Sequence, residues 1–426
     1  MVRRIGRSLR RGTAVGASGW LQRPATRAVL ALGVTQIVAW GTTLYALGVL
    51  GRPIAADTGW SQSLVFAGLT IALLVSGAVS PLVGRSIDRH GGQKIMAVGS
   101  GWMAAGLVLL ALVETPAAYL VAWALLGVSM RLCLYDAAFA ALVQVTPRHG
   151  RQAISYLTLF GGFASSLFWP LAHLLNQHYG WRATLIIFAA INLVVCLPLN
   201  WLGLARREPA MTPGEPAAAV AAAEAAALAG PARTLAMFLF SLIVAASAVV
   251  FGAMAAHLVP VLEASGLAPA AAVSIASLKG VAQVLGRVWD LTLARRWHPI
   301  DVGRVSIAFM PLSFAVLMLG GANTTTALAF TLLFGISNGL VTIMRGAVPL
   351  ALFGAQGYGA VLGILATPYL VLAALAPAAF ALIVERYGTG AGEAVMLAAG
   401  LISLVGMEAM AFWYRRHPSR SRKSLG

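Results

Sequence analysis

The sequence predicts an all-α polytopic membrane protein with twelve transmembrane helices, arranged as two pseudo-symmetric six-helix bundles. Of its 426 residues, 59% are hydrophobic and only 10% are charged, whereas a soluble domain carries about a quarter charged residues. Apolar runs of roughly 20 residues, enough to cross about 30 Å of hydrocarbon, recur along most of the chain. Because backbone polar groups inside a bilayer must bond to one another, each run is expected to be a helix.

The apolar runs form two sets of six. They lie at 27–50, 62–83, 94–113, 117–145, 152–175 and 182–204, and then at 233–258, 269–291, 301–320, 324–350, 357–384 and 392–414. The segment between the sets is rich in proline, glycine and charge, which indicates a linker. We therefore predict bundles over 27–204 and 233–414, a cytoplasmic linker over 205–232, and basic cytoplasmic tails over 1–26 and 415–426.

Local sequence patterns recur at half-chain spacing, which indicates that the two bundles are copies of one unit. The pentapeptide Gly-Arg-Ser-Ile-Asp at 84–88 returns at 286–290 as Gly-Arg-Val-Trp-Asp. Residues 126–129 match 334–337, and Gln-His-Tyr-Gly ending at Gly180 matches Glu-Arg-Tyr-Gly ending at Gly388, both at an offset of 208. Both halves run in the same direction, as expected of parallel repeats about an axis along the membrane normal.

The formal net charge of +17 is explained by orientation in a membrane, and no nucleic-acid partner is expected. Under the twelve-span assignment, 24 of the 30 lysines and arginines fall on one side of the bilayer and three on the other. Positive residues accumulate in cytoplasmic loops of membrane proteins. We therefore expect both termini to be cytoplasmic, in a multi-pass protein of a bacterial plasma (inner) membrane.

The segment 84–94, Gly-Arg-Ser-Ile-Asp-Arg-His-Gly-Gly-Gln-Lys, resembles the loop 2–3 signature of the major facilitator superfamily. Gly84, Asp88, Arg89 and Gly91 match that signature, whereas its closing pair of basic residues is missing. The resemblance extends over the whole chain through the six-plus-six spans and the long central loop. It implies that the loop is a conformational latch that holds the cytoplasmic side closed. The alternative is a basic loop that only sets the topology.

The second copy of the pentapeptide supplies Gly286, Arg287 and Asp290 as further latch residues. It continues into Leu-Thr-Leu at 291–293, without counterparts of the basic residue and glycine that follow Asp88. We therefore expect the second copy to retain only the Gly-Arg-x-x-Asp part of the latch, without the residues that follow it in the first copy.

Four charged residues lie well inside the predicted spans, away from the span ends: Arg131, Asp136, Lys279 and Arg345. Placing each charge in the membrane costs at least about 2.5–3.5 kcal/mol, so such groups normally face a watery cavity or a partner. Three cations against one carboxylate favour an anion-binding site. Structural pairs, such as Asp136 with Lys279 or with Arg345, are the alternative. Arg131 and Asp136 lie about 140° apart on an ideal helix, so no direct pair between them is expected.

Asp136 is the candidate for proton coupling, provided that its cationic neighbours leave its pKa near physiological pH. A permanently ionised partner of an arginine is the alternative. The family resemblance places spans 1, 4, 7 and 10 around the cavity, which implies that Gln36 and Tyr45 of span 1 orient the solute. Ordinary helix packing is the alternative for both, and for Trp40 beside them.

The resemblance implies a secondary active transporter that moves a small organic solute by alternating access, and the cations within the spans predict that this solute is anionic. Residues 134–139 and 159–164 resemble bacterial exporters of the family, which favours proton-coupled efflux by antiport. A monocarboxylate-type uptake carrier is the alternative within this class, and a transporter-like receptor or membrane-embedded enzyme is the alternative outside it. The sequence has no nucleotide-binding Gly-x-x-x-x-Gly-Lys-Ser/Thr loop. We expect a monomer in the lipid bilayer, without enzymatic activity, cofactor or metal site, whose other partners are the solute and protons.

Overall fold

The computed structural model describes residues 23–147, 149–208 and 227–416, and every regular element in this part of the chain is helical. The first half contains α1 (Pro24–Thr58), α2 (Gln62–His90), α3 (Gly92–Ala111), α4 (Pro116–Val145), α5 (150–179) and α6 (181–203). The second half contains α7 (Gly230–Ala264), α8 (Pro269–Thr292), α9 (Pro299–Leu319), α10 (Thr324–Phe353), α11 (Tyr358–Tyr387) and α12 (Thr389–Arg416).

The twelve-helix prediction is confirmed, although only eleven continuous apolar helices are long enough to span a membrane in the described residues. One of these, Gly150–Gly203, has 54 residues and would extend about 80 Å at 1.5 Å per residue, more than twice the thickness of a hydrocarbon core. Non-helical backbone at Gly180 divides it into α5 and α6. The predicted tails and linker fall mostly at 1–22, 209–226 and 417–426, outside the described residues.

The sequence repeat has a counterpart in backbone geometry. Gly180 adopts φ 77° and ψ 168°, and Gly388, its match in the second half, adopts φ 85° and ψ 167°. These positive φ values strain any residue with a side chain, which explains glycine at both positions. A Cβ added at Gly127 would lie 2.9 Å from the Cα of Ala72 on α2, and one at Gly335 would lie 3.2 Å from the Cα of Lys279 on α8. Thus α4 packs closely on α2 as α10 packs on α8.

The apolar side chains form two cores and a junction between them. One core draws only on the second half, from Leu228 to Ala411, and another only on the first half, from Val38 to Cys196. A third cluster joins side chains of the first half to Tyr358 and Leu362 of α11. The molecule therefore consists of two helical bundles that are packed together along part of their length.

Four helices of the first half are irregular, and their irregularities position the candidate site. A π-helical turn occupies Gly41–Tyr45 of α1, and another occupies Asn192–Cys196 of α6. The Asn192 amide donates to the Thr42 hydroxyl at 3.1 Å, which joins the two turns. In addition, α4 is interrupted at Leu134, and α5 is interrupted between Gly161, where its first segment ends, and Ala164, where its second begins.

Candidate functional site

Asp136 of α4 binds two arginines from different bundles. Arg131 Nη1 lies 3.4 Å from one carboxylate oxygen, and Arg345 Nη2 of α10 lies 3.2 and 3.3 Å from the two oxygens. The side chains of Arg131, Asp136 and Arg345 are only 3%, 13% and 16% exposed. Asp136 and Arg345 lie roughly 12–14 Å from the ends of their helices at 1.5 Å per residue. We call these three residues the charged cluster.

The contact between Arg131 and Asp136 contradicts the expectation that they cannot pair. That expectation assumed a continuous helix, whereas Leu134 has φ −77° and ψ −174°, an extended conformation. One helical segment ends at Cys133 and the next begins at Tyr135. The break rotates the second segment relative to the first, so the carboxylate reaches the guanidinium. Of the two structural pairs predicted as alternatives for Asp136, with Lys279 and with Arg345, the structure contains the pair with Arg345 across the bundles.

Gln36 is bound at this break in α4. The N–H groups of Ala137 and Ala138 both bond to the Leu134 carbonyl, so the Cys133 carbonyl does not receive its usual helical donor. The buried Gln36 amide donates to it at 2.7 Å. Its Oε1 atom is buried without a hydrogen-bond partner among the described residues. Gln36 therefore holds α1 against the interrupted part of α4, with one polar atom unused.

Lys279 lies apart from the charged cluster. Its Nζ atom is 5.2 Å from the centre of the Phe334 ring on α10, and no carboxylate of the described residues lies within ion-pair distance of it. Phe334 precedes Arg345 by eleven residues, which is about 16 Å along a helix. The Arg345 guanidinium instead covers the Tyr369 ring at 3.6 Å. The three predicted cations thus do not converge on one point.

Tyr45 belongs to a series of aromatic rings that crosses from α5 through α1 to α4. Its ring centre lies 6.1 Å from that of Trp169 and 6.4 Å from that of Trp40. Trp40 in turn lies 5.3 Å from Tyr135, directly after the break in α4. We call Trp169, Tyr45, Trp40 and Tyr135 the aromatic series.

A cavity of about 590 Å³ lies between α1 and α5 at the Trp169 end of this series. Its lining is largely apolar, with the Trp169 indole, Val49 and Pro170, and its polar groups come from Ser165, Ser166 and His173. A volume of this size falls within the range of small-molecule sites, roughly 300–1,000 Å³.

The first copy of the pentapeptide contacts α11 of the other bundle. A Cβ at Gly84 would lie 2.8 Å from the carbonyl carbon of Gly359, so two backbones approach there without an intervening side chain. The Asp88 carboxylate accepts the N–H groups of Gly359 at 2.9 Å and Ala360 at 2.7 Å. It therefore caps the amino terminus of α11, where free N–H groups and the helix dipole favour an anion.

Arg89 and Gly91 complete the first copy without reaching the other bundle through a described hydrogen bond. Arg89 is exposed at the end of α2. Gly91 ends α2 with φ 88° and begins α3 directly afterwards, a backbone conformation that favours glycine. Gly91 therefore shapes the loop.

The second copy also makes contacts across the bundles. These contacts are more extensive than expected of a copy that lacks the residues following the pentapeptide. Arg287 Nη1 donates to the Thr158 carbonyl of α5 at 2.7 Å, and the Ser155 hydroxyl donates to Asp290 at 2.6 Å. Arg151 Nη2 lies 3.5 Å from the same carboxylate. Arg287 and Asp290 are both at least 96% buried. Gly286, by contrast, packs within its own bundle, where an added Cβ would lie 3.0 Å from the Ile336 carbonyl oxygen.

Near the middle of α2, the Gly77 carbonyl accepts the Thr367 hydroxyl of α11 at 2.9 Å. The other hydrogen bonds and ion pairs between the bundles, among the described residues, lie towards one end of the molecule, which contains the 84–94 and 287–304 segments. We call it the basic-loop end. Sequence reasoning missed the partners of the pentapeptides there, namely Arg151, Ser155 and Thr158 on α5 and the N–H groups that begin α11. No local signal marks these partners: the Thr158 carbonyl and the α11 N–H groups are backbone atoms, which every position has, and the Arg151 and Ser155 side chains are ordinary polar groups far from the pentapeptides in sequence.

At this end, His298 precedes α9 and accepts the Ile300 N–H through Nδ1 at 3.3 Å, which caps the helix. Burial lowers the pKa of His298 below its usual value, and the charges of Arg151 and Arg415 act in the same direction. Asp301 opposes them. The structure therefore favours the neutral ring that can accept this hydrogen bond.

Comparisons with known proteins agree with this architecture. The family model described as Major Facilitator Superfamily matches residues 31–344. Monocarboxylate transporter 11 of Mus musculus is 26% identical over 178 residues, which are 42% of this chain and 38% of that protein. This match spans less than two fifths of the relative's length.

Two solved structures share the fold at low sequence identity. The human organic anion transporter MFSD10 (TETRAN) superposes with a TM-score of 0.66 at 17% identity, over 90% of this chain and 99% of that one. The Major Facilitator Superfamily transporter FucP, in the outward conformation, gives a TM-score of 0.68 at 14% identity, over 91% and 99%.

Proposed function

The chain belongs to the Major Facilitator Superfamily, and from this premise we propose that it is a secondary active transporter for a small organic anion. Alternating access would expose a site between the two bundles first to one side of the membrane and then to the other. The observation that carries the proposal is the excess of positive charge within the membrane spans. The charged cluster contains two arginines and one carboxylate, and Lys279 has no carboxylate partner in the described part of the chain.

We assign the basic-loop end to the cytoplasm, in line with the accumulation of positive residues in cytoplasmic loops. Both termini are then cytoplasmic, and the described conformation is closed towards the cytoplasm. Of the predicted latch residues, Gly84, Asp88, Arg287 and Asp290 contact the other bundle and would hold the cytoplasmic side closed, whereas Arg89, Gly91 and Gly286 make no described hydrogen bond to the other bundle. Opening to the cytoplasm requires that the contacts of Asp88 with α11 and of Asp290 with α5 break.

Asp136 is the proposed proton-coupling residue. Its carboxylate binds Arg345 across the bundles, so separation of the bundles removes one of its two cations. Because the partners of Asp136 would change with the conformation of the transporter, Asp136 is the residue that we propose for proton coupling. Proton-coupled efflux from a bacterial cell, by a monomer in the inner membrane, is the preferred direction. The similarity to a monocarboxylate transporter supports a second candidate, an uptake carrier for monocarboxylates.

The decisive experiment measures flux of labelled lactate and benzoate in proteoliposomes that contain the purified protein. Lys279→Met should lower the flux of a transported anion by about tenfold or more, because an unpaired cation in the space between the bundles raises the local concentration of anions by roughly 10–10³-fold. Lys94→Met makes the same change at an exposed position at the start of α3 and should retain the wild-type rate. Equal rates for Lys279→Met and wild type would remove Lys279 from the anion site.

Coupling and direction are tested in the same vesicles. An imposed proton gradient should drive anion movement, and an ionophore that collapses the gradient should abolish that movement. Flux that is indifferent to the ionophore would reject proton coupling. Opposite gradients distinguish the candidates, since antiport moves anion against the proton flow and an uptake carrier moves both together.

A further inference from the structure

The aromatic series connects an open cavity to unused hydrogen-bond donors deeper in the first bundle. The cavity between α1 and α5 is lined by the Trp169 indole together with hydroxyl groups. From Trp169 the rings of Tyr45 and Trp40 follow at separations of 6.1 and 6.4 Å. Aromatic rings at such separations attract other aromatic groups placed edge-on or offset. The Trp169 end of the aromatic series is therefore suited to bind a planar ring.

The π-helical turn of α1 contributes to this arrangement. It covers Gly41–Tyr45 and so lies between Trp40 and the cavity residue Gly48. Single π-helical turns occur frequently at functional sites. A Cβ at Gly41 would lie 2.5 Å from Cδ1 of Phe168 on α5, so the turn also brings α1 close to the helix that carries Trp169.

The inner end of the series contains donors without acceptors. The Trp40 Nε1 atom and the Arg131 Nε and Nη2 atoms are buried and make no hydrogen bond with the described residues. Arg131 uses only Nη1, on Asp136. Both groups flank the break in α4, since Trp40 packs on Tyr135. Buried polar groups normally have partners, so unpartnered donors of this kind call for an explanation.

The free edge of Arg131 has the geometry of a carboxylate site. The Nε–H and one Nη2–H point in the same direction, and two such parallel donors match the two oxygens of a carboxylate. Asp136 holds the opposite part of the guanidinium and fixes its orientation. The Trp40 indole N–H, on a ring that packs against Tyr135 directly after the break, is a third buried donor without an acceptor among the described residues.

We propose that the solute is an aromatic carboxylate, an inference that rests on the proposed transport of organic anions. Its ring packs against Trp169 and Tyr45, and its carboxylate accepts hydrogen bonds from Arg131 Nε and Nη2 and from Trp40 Nε1. In the described conformation these donors are shielded from solvent, so the inner end of the site is occluded. The solute occupies it when the rings of the aromatic series move aside.

The first test compares three competitors of labelled benzoate flux in proteoliposomes with the wild-type protein. Unlabelled benzoate should compete at least tenfold better than cyclohexanecarboxylate, which keeps the charge and loses the aromatic ring. It should also compete at least tenfold better than benzamide, which keeps the ring and loses the charge. Equal competition by cyclohexanecarboxylate, or flux of lactate without flux of benzoate, overturns the aromatic inference and leaves anion transport standing. Equal competition by benzamide overturns the anionic solute itself.

The second test uses variants whose folding is checked by their melting temperatures. Trp40→Phe keeps a ring and removes the N–H, and should weaken benzoate binding by about tenfold. Trp169→Leu should weaken benzoate binding while leaving that of cyclohexanecarboxylate unchanged. Trp102→Leu changes an exposed tryptophan of α3 and should bind benzoate as wild type does. Unchanged benzoate affinity in Trp40→Phe would mean that water satisfies the indole and would overturn the assigned carboxylate position.

Discussion

Replacement of Gly84 by alanine should shift the transporter towards the conformation that is open at the basic-loop end. The added Cβ would lie 2.8 Å from the Gly359 carbonyl carbon and 3.1 Å from the Gly363 Cα, and closer still to the Gly359 oxygen. Two carbons prefer a separation of about 3.5–4.0 Å. The clashing atoms belong to the α11 backbone, which no change of rotamer can move. Therefore α2 and α11 must move apart by about 1 Å.

The change in the ratio of closed to open molecules can be estimated because the clash is present only in the closed conformation. Overpacking of a close contact costs about 1–3 kcal/mol, and here the cost falls only on the conformation in which the bundles touch. A middle value of about 2 kcal/mol changes the ratio of closed to open molecules by about thirtyfold. The helix propensity that alanine adds over glycine, about 1 kcal/mol, acts in both conformations and cancels.

Spin labels at the exposed residues His90 and Leu293 measure the separation of the bundles at the basic-loop end. The distance distribution of Gly84→Ala should move to longer values than that of wild type. Gly280→Ala is the matched control, because a Cβ there would meet no atom within 4 Å, and its distribution should match wild type. Identical distributions for Gly84→Ala and wild type would refute the assignment of this contact to the closed state.

Three further predictions concern the charged cluster, the break in α4 and the cap of α9. Asp136→Asn should lower the melting temperature, since loss of one partner of a buried ion pair costs about 3–5 kcal/mol; adding Arg345→Gln should recover part of the loss, and no recovery would contradict the pairing. Gln36→Leu should destabilise the protein by about 1–3 kcal/mol in denaturant unfolding, because the Cys133 carbonyl loses its donor; unchanged stability would contradict that role. His298 has a lowered pKa when folded, so the unfolded chain binds more protons as the pH falls below about 6.5. As the pH is lowered, the melting temperature of the wild type should therefore fall relative to that of His298→Asn, whose capping side chain does not titrate. The loss should be complete below the folded-state pKa of His298. A difference in melting temperature that stays constant from pH 8 to pH 5 would exclude this effect.

Much of the fold was predictable because it depends on local properties of the chain. Apolar runs located the helices, since a bilayer requires about 20 such residues per crossing. The boundary between α5 and α6 was also predictable, because Gly180 and Gly388 recur in the repeat and both adopt a backbone conformation that favours glycine.

The candidate site was less predictable. Its residues were named from charge and position in the spans, and the pair of Asp136 with Arg345 was one of the alternatives, but the other partners were not predicted. The break at Leu134 has no proline or glycine to announce it, and the angle between Arg131 and Asp136 was therefore calculated for a helix that does not exist. The contacts of Asp290 with α5 were underestimated, because Ser155 lies 135 residues away in sequence.

By itself, the sequence determined that this protein has twelve membrane helices in two related bundles with an excess of intramembrane positive charge. These features follow from hydrophobicity, residue type and repetition, which are properties of the chain read in order. Tertiary structure alone decided that Asp136 joins Arg131 to Arg345, that Lys279 lies apart from them on Phe334, and that both pentapeptides reach the opposite bundle. The physical reason is that each of these contacts depends on how helices distant in sequence pack, and on a local break that changes the direction of α4.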